Sequence, residues 1–156
     1  IKAALAIPAQ AWVPRVDPES DQTSAVREND PDYPRAAIAA VLDVIGPQYF
    51  GAGGYYNRVV LSKVPAGAGI LPHTDDVGDR VRRTSLHCHL PLITDPTCCM
   101  CWDGGQRHLA VGFLYVMDLS QRHWVINPSS VDRIHVLFAY FPVKMPLDAD
   151  ASVVAA

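Results

Sequence analysis

Beyond residue 55 the chain consists of short apolar or alternating runs separated by turn residues, and this pattern limits its fold more than any other feature. Seven such runs are present, at 56–64, 68–75, 85–93, 97–102, 109–117, 123–126 and 133–141. Asp103-Gly104-Gly105 is a strong turn signal between two of them. Short runs at close intervals are typical of antiparallel β architectures. We therefore predict a mainly β fold, a sandwich or cupin-like jelly roll with helical decoration.

An extended arm and one helix precede these strands. Residues 1–34 hold five prolines among scattered charges, which predicts an arm with little regular structure of its own that wraps the domain edge. After the arm, apolar side chains follow the i, i+3, i+4, i+7 spacing of an amphipathic helix, at Ile38, Val41, Leu42 and Ile45. Pro34 stands before this pattern and Gly46 after it. We therefore predict a helix over residues 35–46 that packs on the sheet.

Length and charge restrict the class of protein. The 156 residues fit a single domain, 1–156, with its β core at 56–142. A net charge of -3 with 19% charged residues provides no basic field that would attract nucleic acid. No apolar run approaches the roughly 20 residues of a membrane span, and the opening residues 1–7 are too short for a secretory signal. We expect a cytoplasmic protein, of which this sequence, lacking an initiating Met, is an excised or processed piece.

Three residues are candidate metal ligands. His73 and Asp75 are separated by one residue, and His123 follows 48 residues after the aspartate. Residues i and i+2 of a strand point to the same face, so this imidazole and this carboxylate can reach one ion. Two histidines and one carboxylate form the ligand set of non-haem iron(II) oxygenases, which leaves positions open for a co-substrate and dioxygen. Taken singly, each histidine is more often a half-buried side chain with a hydrogen-bond partner, but the motifs downstream favour a metal site.

Those motifs follow in a definite order. They are Pro72-His73, His89-Leu90-Pro91-Leu92, Gly112 with Asp118 and His123, Ser129-Ser130, and Arg133. Together they resemble the aspartyl/asparaginyl β-hydroxylase family of 2-oxoglutarate-dependent oxygenases, and the resemblance extends from about Leu61 to Pro142. The spacing from Gly112 through His123 to Arg133 fits the family pattern without gaps.

The resemblance implies a double-stranded β-helix and a set of roles for its residues. His73 and His123 are expected to bind Fe(II), with Asp75 completing the triad. Arg133 is expected to pair with the distal carboxylate of 2-oxoglutarate, and His89 to help hold this co-substrate. The chemistry supports the arginine independently, because a planar guanidinium gives bidentate, permanently charged recognition of a carboxylate.

Two positions depart from the family pattern. Some β-hydroxylases carry a glycine where Asp75 stands, so the acid here resembles the ordinary triad and the free-amino-acid hydroxylases related to the family. His87 stands where an arginine often precedes the His-Leu segment, and since it alternates with Cys88 it shares a strand face with His89. We expect both histidines to line the pocket. Asp118 is a candidate to orient a ligating imidazole.

The expected activity is hydroxylation of an amino acid, or of an aspartyl or asparaginyl residue in a peptide or protein, with release of succinate and CO2. Dioxygen is the second co-substrate of such a reaction, and neither nucleic acid nor a membrane is an expected partner. Two other classes stay open: a non-catalytic metal-binding β-sandwich module, and a cupin-like metal enzyme that does not use 2-oxoglutarate. The oligomeric state also stays open.

Three further features each allow two interpretations. The thiols of Cys98 and Cys101, with Cys88 and His108, are either buried side chains or ligands of zinc. The charged loop at 76–83 is either a solvated turn or a lid whose arginines meet a substrate carboxylate. Arg58, with its neighbour Asn57, faces either the pocket or solvent.

Overall fold

The computed structural model describes residues 6–14, 24–27, 29–75 and 84–142. The strands in this part of the chain are β1 (Val13–Pro14), β2 (Ser24–Arg27), β3 (Tyr55–Val64), β4 (Gly69–His73), β5 (Leu86–Ile93), β6 (Cys99–Trp102), β7 (Gly105–Arg107), β8 (Tyr115–Met117), β9 (His123–Ile126) and β10 (Arg133–Phe141). They form a six-stranded sheet in the order β1-β2-β3-β10-β5-β8 and a four-stranded sheet in the order β4-β9-β6-β7. Every strand pairing is antiparallel.

Two hydrophobic clusters hold these sheets in place. The larger cluster lies between one face of the six-stranded sheet and the helix α1 (Arg35–Phe50), where Leu61 and Val136 are completely buried. Burying a side chain of this size stabilises the fold by about 1.5–3 kcal/mol. The second cluster contains Val64, Met100 and Val125, which come from strands of both sheets. The space between the sheets is therefore partly filled by apolar side chains and partly left for the polar ones described below.

The helix is longer than the sequence predicts. It begins at Arg35 as expected, but it continues four residues past Gly46 to Phe50 and ends at Gly51, whose φ of 82° is a left-handed value. Gly46 is buried within the helix. It packs closely against Tyr56, and a Cβ atom at this position would collide with the Tyr56 hydroxyl. That hydroxyl donates a hydrogen bond to the Leu42 carbonyl. The prediction was wrong at this end because the glycine permits close packing and does not stop the helix.

The described part of the N-terminal arm contains more regular structure than expected. A 3-10 turn covers Ala9–Ala11, and β2 pairs with β3 so that Ser24 lies opposite Lys63 and Arg27 opposite Val60. The arm thus extends the edge of the six-stranded sheet. None of the helices among the described residues is long and apolar enough to cross a membrane.

An irregularity interrupts the pairing of β3 with β10. Val60 lies opposite Leu137 and Asn57 opposite Ala139, so two residues of β3 face the single residue Phe138. One of those two, Arg58, has a φ of 53°. This is a β-bulge, a feature that bends a strand and redirects its side chains.

Each predicted run contains an observed strand, but β1, β2 and β7 were not predicted, and the run at 97–102 forms a strand only from Cys99. Two further runs are shorter than predicted. The run at 68–75 forms a strand only as far as His73, and the run at 109–117 only from Tyr115. Gly112 interrupts the second run, since its φ of 93° belongs to a turn. The mainly β fold class predicted from the sequence is confirmed.

Candidate metal centre

The histidines at the ends of two neighbouring strands meet at one edge of the four-stranded sheet. His73 ends β4 and His123 begins β9, and the two are direct cross-strand partners whose ring centroids lie 4.4 Å apart. Asp75 follows two residues later, with its Oδ1 3.6 Å from Nε2 of His73. One possible ligand atom from each residue lies within 4.8 Å of the others. Among the described residues this is the group of histidine, cysteine and acidic side chains whose geometry suits a metal ion.

Backbone carbonyls fix the orientation of both imidazoles. Nδ1 of His73 lies 2.7 Å from the Leu71 carbonyl, and Nδ1 of His123 lies 2.8 Å from the Gln121 carbonyl. With Nδ1 as the donor, each ring presents the lone pair of Nε2 as a ligand. The sequence assigned this orienting role to Asp118, but the carboxylate instead accepts hydrogen bonds from the Ser120 amide and hydroxyl. Asp118 therefore shapes the turn that precedes β9.

These residues line a cavity of about 280 Å³ between the two sheets. Its polar lining residues are Arg58, Ser62, His73, Asp75, His87, His89, His123 and Arg133. Its apolar lining residues are Ile70, Met100, Leu119, Val125, Leu137, Phe138 and Ala139, together with Cys88. The six site residues named from the sequence thus all reach one cavity, while their roles there stay a prediction. Arg58, for which the sequence left two orientations open, lines the cavity as well.

Arg133 places a buried cation in the lining of this cavity. The residue is 3% exposed, and its Nη2 has no hydrogen-bond partner among the described residues. Burial lowers the pKa of Arg133 to about 10, so the guanidinium stays charged at neutral pH. A buried charge with an unused donor is costly unless a ligand satisfies it. The chemistry of this end of the cavity therefore suits an anion.

Two buried histidines lie near this arginine. His89 is 7% exposed, its Nδ1 has no partner, and burial and the charge of Arg133 lower its pKa to about 3. His135 is fully buried, and neither of its ring nitrogens has a partner among the described residues. The two rings are nearly perpendicular, with centroids 6.0 Å apart. Both imidazoles are neutral at pH 7 and can serve as uncharged hydrogen-bonding groups.

His135 and Ser62 are polar positions that the sequence interpretation missed. His135 follows Arg133 by two residues on β10, so strand alternation alone places it on the same face. Ser62 is the cross-strand partner of His135 on β3, is buried and lines the cavity. Alternation along the two strands was the available signal for both.

The cysteines do not form a metal site in the described part of the chain. All four are free thiols; three are buried and Cys99 is half-buried. His108 directs its Nδ1 at the backbone carbonyl of Cys98, at 3.0 Å. Burial raises the pKa of the thiol of Cys88, which lies on β5 of the other sheet. The structure therefore favours buried thiols over the zinc alternative. The charged loop at 76–83, for which the sequence left open a solvated turn or a lid, lies outside the described residues.

Two antiparallel sheets that enclose a polar cavity, with a His-Asp-His group and a buried arginine in its lining, define a protein of the cupin-like, double-stranded β-helix class. The family model for aspartyl/asparaginyl β-hydroxylase matches residues 26–142. The chain belongs to this family. No curated protein sequence matches it.

Solved structures agree with this fold class. An oxidoreductase of the 2OG-Fe(II) oxygenase family from Burkholderia pseudomallei is 14% identical, with 90% of this chain and 76% of that chain covered and a TM-score of 0.64. SnoN, a non-haem α-ketoglutarate-dependent epimerase of nogalamycin biosynthesis, is 13% identical, with 97% and 80% covered and a TM-score of 0.59. A prolyl-4-hydroxylase from Pseudomonas putida is 16% identical, with 87% and 80% covered and a TM-score of 0.54. At these identities the likeness establishes the fold.

Membership of this family places the protein among the oxygenases and hydroxylases. The cofactor that this membership implies is Fe(II), and the co-substrates that it implies are 2-oxoglutarate and dioxygen.

Proposed function

We propose that this protein hydroxylates an amino acid, or an aspartyl or asparaginyl residue of a peptide or protein, and converts 2-oxoglutarate to succinate and CO2 in the same reaction. The observation that carries the proposal is the buried guanidinium of Arg133, whose unused Nη2 belongs to a residue that lines the same cavity as His73, Asp75 and His123. A cavity that joins a possible metal site to a buried cation suits a ligand that chelates metal at one end and carries a carboxylate at the other.

The three candidate ligands fit Fe(II). Nε2 of His73, Nε2 of His123 and a carboxylate oxygen of Asp75 would hold the ion, because both Nδ1 atoms are already engaged by carbonyls. Two nitrogen donors and one carboxylate are the facial set of iron(II) oxygenases. When bound there, iron supplies the activation of dioxygen and the oxidative decarboxylation of 2-oxoglutarate that drive hydroxylation.

The other cavity residues bind and orient the co-substrate. Arg133 pairs with the distal carboxylate through charge-assisted hydrogen bonds. His89, held neutral by burial and by the neighbouring cation, contributes an uncharged donor or acceptor beside it. His87, which is half-buried and has a pKa lowered by burial, lines the cavity two residues earlier on β5. Fixing both ends of 2-oxoglutarate orients its reacting bond and accounts for a substantial part of the rate.

The open cavity favours catalysis over the other two classes. A structural metal in a binding module needs a closed set of ligands, whereas three ligands beside a cavity leave coordination positions open. A cupin-like enzyme that does not use 2-oxoglutarate would leave unexplained the buried Arg133 in the same lining, whose Nη2 has no hydrogen-bond partner among the described residues.

Succinate formation tests this proposal. The iron-loaded protein is supplied with 2-oxoglutarate under air, with and without amino acids and peptides that contain Asp or Asn. We expect succinate from the native protein, none from His123→Ala, and a large rise in the 2-oxoglutarate requirement of Arg133→Ala. An Arg133→Ala variant with an unchanged requirement would remove this arginine from its role, and native protein that binds iron but forms no succinate would reject the proposal.

A further inference from the structure

The bulge in β3 gives Arg58 a position that a regular strand would not. Its φ of 53° lies in the left-handed region, which only a few per cent of residues other than glycine adopt. The Asn57 side chain holds this geometry, because its Oδ1 accepts a hydrogen bond from the Arg58 amide at 2.7 Å. Unfavourable backbone geometry of this kind persists where the surrounding structure enforces it, and it concentrates at binding sites.

Arg58 contributes to the accessible side of the cavity. It lines the same cavity as Arg133, but it is exposed whereas Arg133 is buried. The pKa of His87 is lowered mainly by burial. The charge of Asp75 raises this pKa and the charge of Arg58 lowers it further, so both charges are close enough to act on His87. The guanidinium is therefore near the residues that flank the candidate metal centre.

The charges in the cavity leave Arg58 without a counterpart. Among the described residues, no carboxylate forms an ion pair with it. Asp75 is the acidic residue in the cavity lining, and it lies beside His73. If Asp75 binds iron and Arg133 binds 2-oxoglutarate, both of those charges are engaged, and the second guanidinium remains for another anion.

The size of the cavity limits what that anion can belong to. Its volume of about 280 Å³ is slightly below that of most small-molecule sites, which have volumes of about 300–1,000 Å³. A ligand that enters it must therefore be small. A substrate carboxylate at Arg58 would sit between solvent and the metal centre.

We propose that Arg58 is a specificity-determining residue that binds a carboxylate of the substrate, so that the preferred substrates are carboxylate-bearing amino acids or aspartyl residues. This inference rests on the proposed function, since it takes Arg133 and Asp75 to be engaged by the co-substrate and the metal. The carboxylate has two possible sources, the α-carboxylate of a free amino acid and the side chain of an aspartyl residue, and the chemistry of recognition is the same for both.

Binding to protein that cannot turn over tests this inference apart from activity. The protein is loaded with zinc, saturated with 2-oxoglutarate and titrated by calorimetry. The probes are L-aspartate, L-asparagine and L-leucine as free acids and as amides, and short peptides with blocked ends that contain Asp or Asn. We expect at least one acid to bind about tenfold more tightly than its neutral partner. A preference for all free acids identifies the α-carboxylate, and a preference for the blocked Asp peptide over the Asn peptide identifies the side chain.

Variants assign that preference to Arg58. In Arg58→Gln we expect the acid to bind about tenfold more weakly, with the affinities for its neutral partner and for 2-oxoglutarate unchanged. Arg58→Lys should keep part of the preference, because it keeps the charge but loses the planar fork. Arg107→Gln, at an exposed arginine on β7 outside the cavity lining, is the matched control and should behave as native. Thermal melts check that each variant is folded.

Three results would overturn the inference: acids and neutral partners that bind alike, a native protein that binds no probe, or an Arg58→Gln variant that loses 2-oxoglutarate instead of the acid. The last would assign Arg58 to the co-substrate. Failure of the proposed function looks different, because native protein would then not bind 2-oxoglutarate while the preference for acids, and its loss in Arg58→Gln, would persist.

Discussion

His73 and His123 face one another across the antiparallel pair of β4 and β9, and each donates its Nδ1 proton to the carbonyl of the residue two positions before it. The same local geometry is thus used twice, once at the end of a strand and once at the start of its partner. It leaves the Nε2 atoms of both rings available to one metal ion, with backbone carbonyls in the orienting role. Asp75 is held beside them by its amide, which donates to the Leu119 carbonyl at 3.0 Å.

Removing one imidazole should therefore weaken metal binding directly. We expect His123→Ala to lower the affinity for Fe(II) or a substitute such as Co(II) by more than about tenfold, since loss of even an outer partner of a ligand costs 10–100-fold. Metal titration followed by visible absorption measures this. His108→Ala is the matched control, because His108 lies outside the cavity lining and bonds to a backbone carbonyl. Equal affinities for both variants and the native protein would exclude His123 as a ligand.

We expect Arg133 to lower the stability of the fold while it strengthens the binding of 2-oxoglutarate. Its replacement by methionine removes a buried charge with an unused donor, so we expect the free energy of unfolding to stay level or to rise by about 1–2 kcal/mol. The same change should raise the Kd for 2-oxoglutarate at least about 100-fold, because two charge-assisted hydrogen bonds worth about 1.5–3 kcal/mol each are lost. Denaturant titration and calorimetry give the two numbers. A strong loss of stability with unchanged affinity would make the arginine structural.

The buried histidines should make the metal-free protein sensitive to acid. Burial lowers the pKa of His89 to about 3 and that of His135 well below 6.5, with Arg133 adding to both effects. Below about pH 6.5 the unfolded chain takes up protons that the folded chain does not. The free energy of unfolding therefore has its full contribution from these histidines above about pH 6.5 and decreases as the pH falls below that value. Each histidine contributes a slope of about 1.4 kcal/mol per pH unit.

Denaturant midpoints measured between pH 7.5 and pH 5 would show this decline. We expect His135→Phe, which keeps a ring of similar size, to lose the contribution of one histidine to the dependence of stability on pH. The free energy of unfolding of this variant should therefore fall less steeply below pH 6.5, by about 1.4 kcal/mol per pH unit. An unchanged slope in this variant would show that His135 is protonated in the folded protein or exposed to water.

The backbone at Arg58 gives a separate prediction about stability. Glycine adopts a φ of 53° without the steric cost that other residues incur. We expect Arg58→Gly to raise the free energy of unfolding by about 1 kcal/mol, the lower end of the cost of a left-handed conformation. Arg58→Ala keeps that cost and serves as the control in thermal melts. If glycine and alanine have equal stability, the bulge does not impose strain at this position.

The sequence predicted the parts of this molecule that depend on local pattern. The long apolar runs that became β3, β5 and β10 depend on the two-residue repeat of a strand, which is visible in any single segment. His73 and Asp75 lie close together as predicted, but Asp75 lies past the end of β4, so strand alternation is not what brings them together. Alternation also placed His87 and His89 on one face, and both line the cavity.

The parts that the sequence did not predict depend on contacts between distant segments. Gly46 has the appearance of a helix end, and only its contact with Tyr56 shows that it is a packing position. The orientation of Arg58 depends on a bulge that forms because β3 and β10 differ by one residue in this stretch. Strand alternation places His135 on the same face as Arg133, but its significance comes from its distance to His89, which the sequence does not show.

The most direct test of the central claim is the fate of dioxygen. Iron-loaded protein is given 2-oxoglutarate and an amino acid that stimulates turnover, under ¹⁸O₂, and the succinate is examined by mass spectrometry. The account predicts succinate that carries one ¹⁸O atom from native protein and none from His123→Ala. Iron-loaded protein that consumes no 2-oxoglutarate, or that yields succinate without the label, would contradict it.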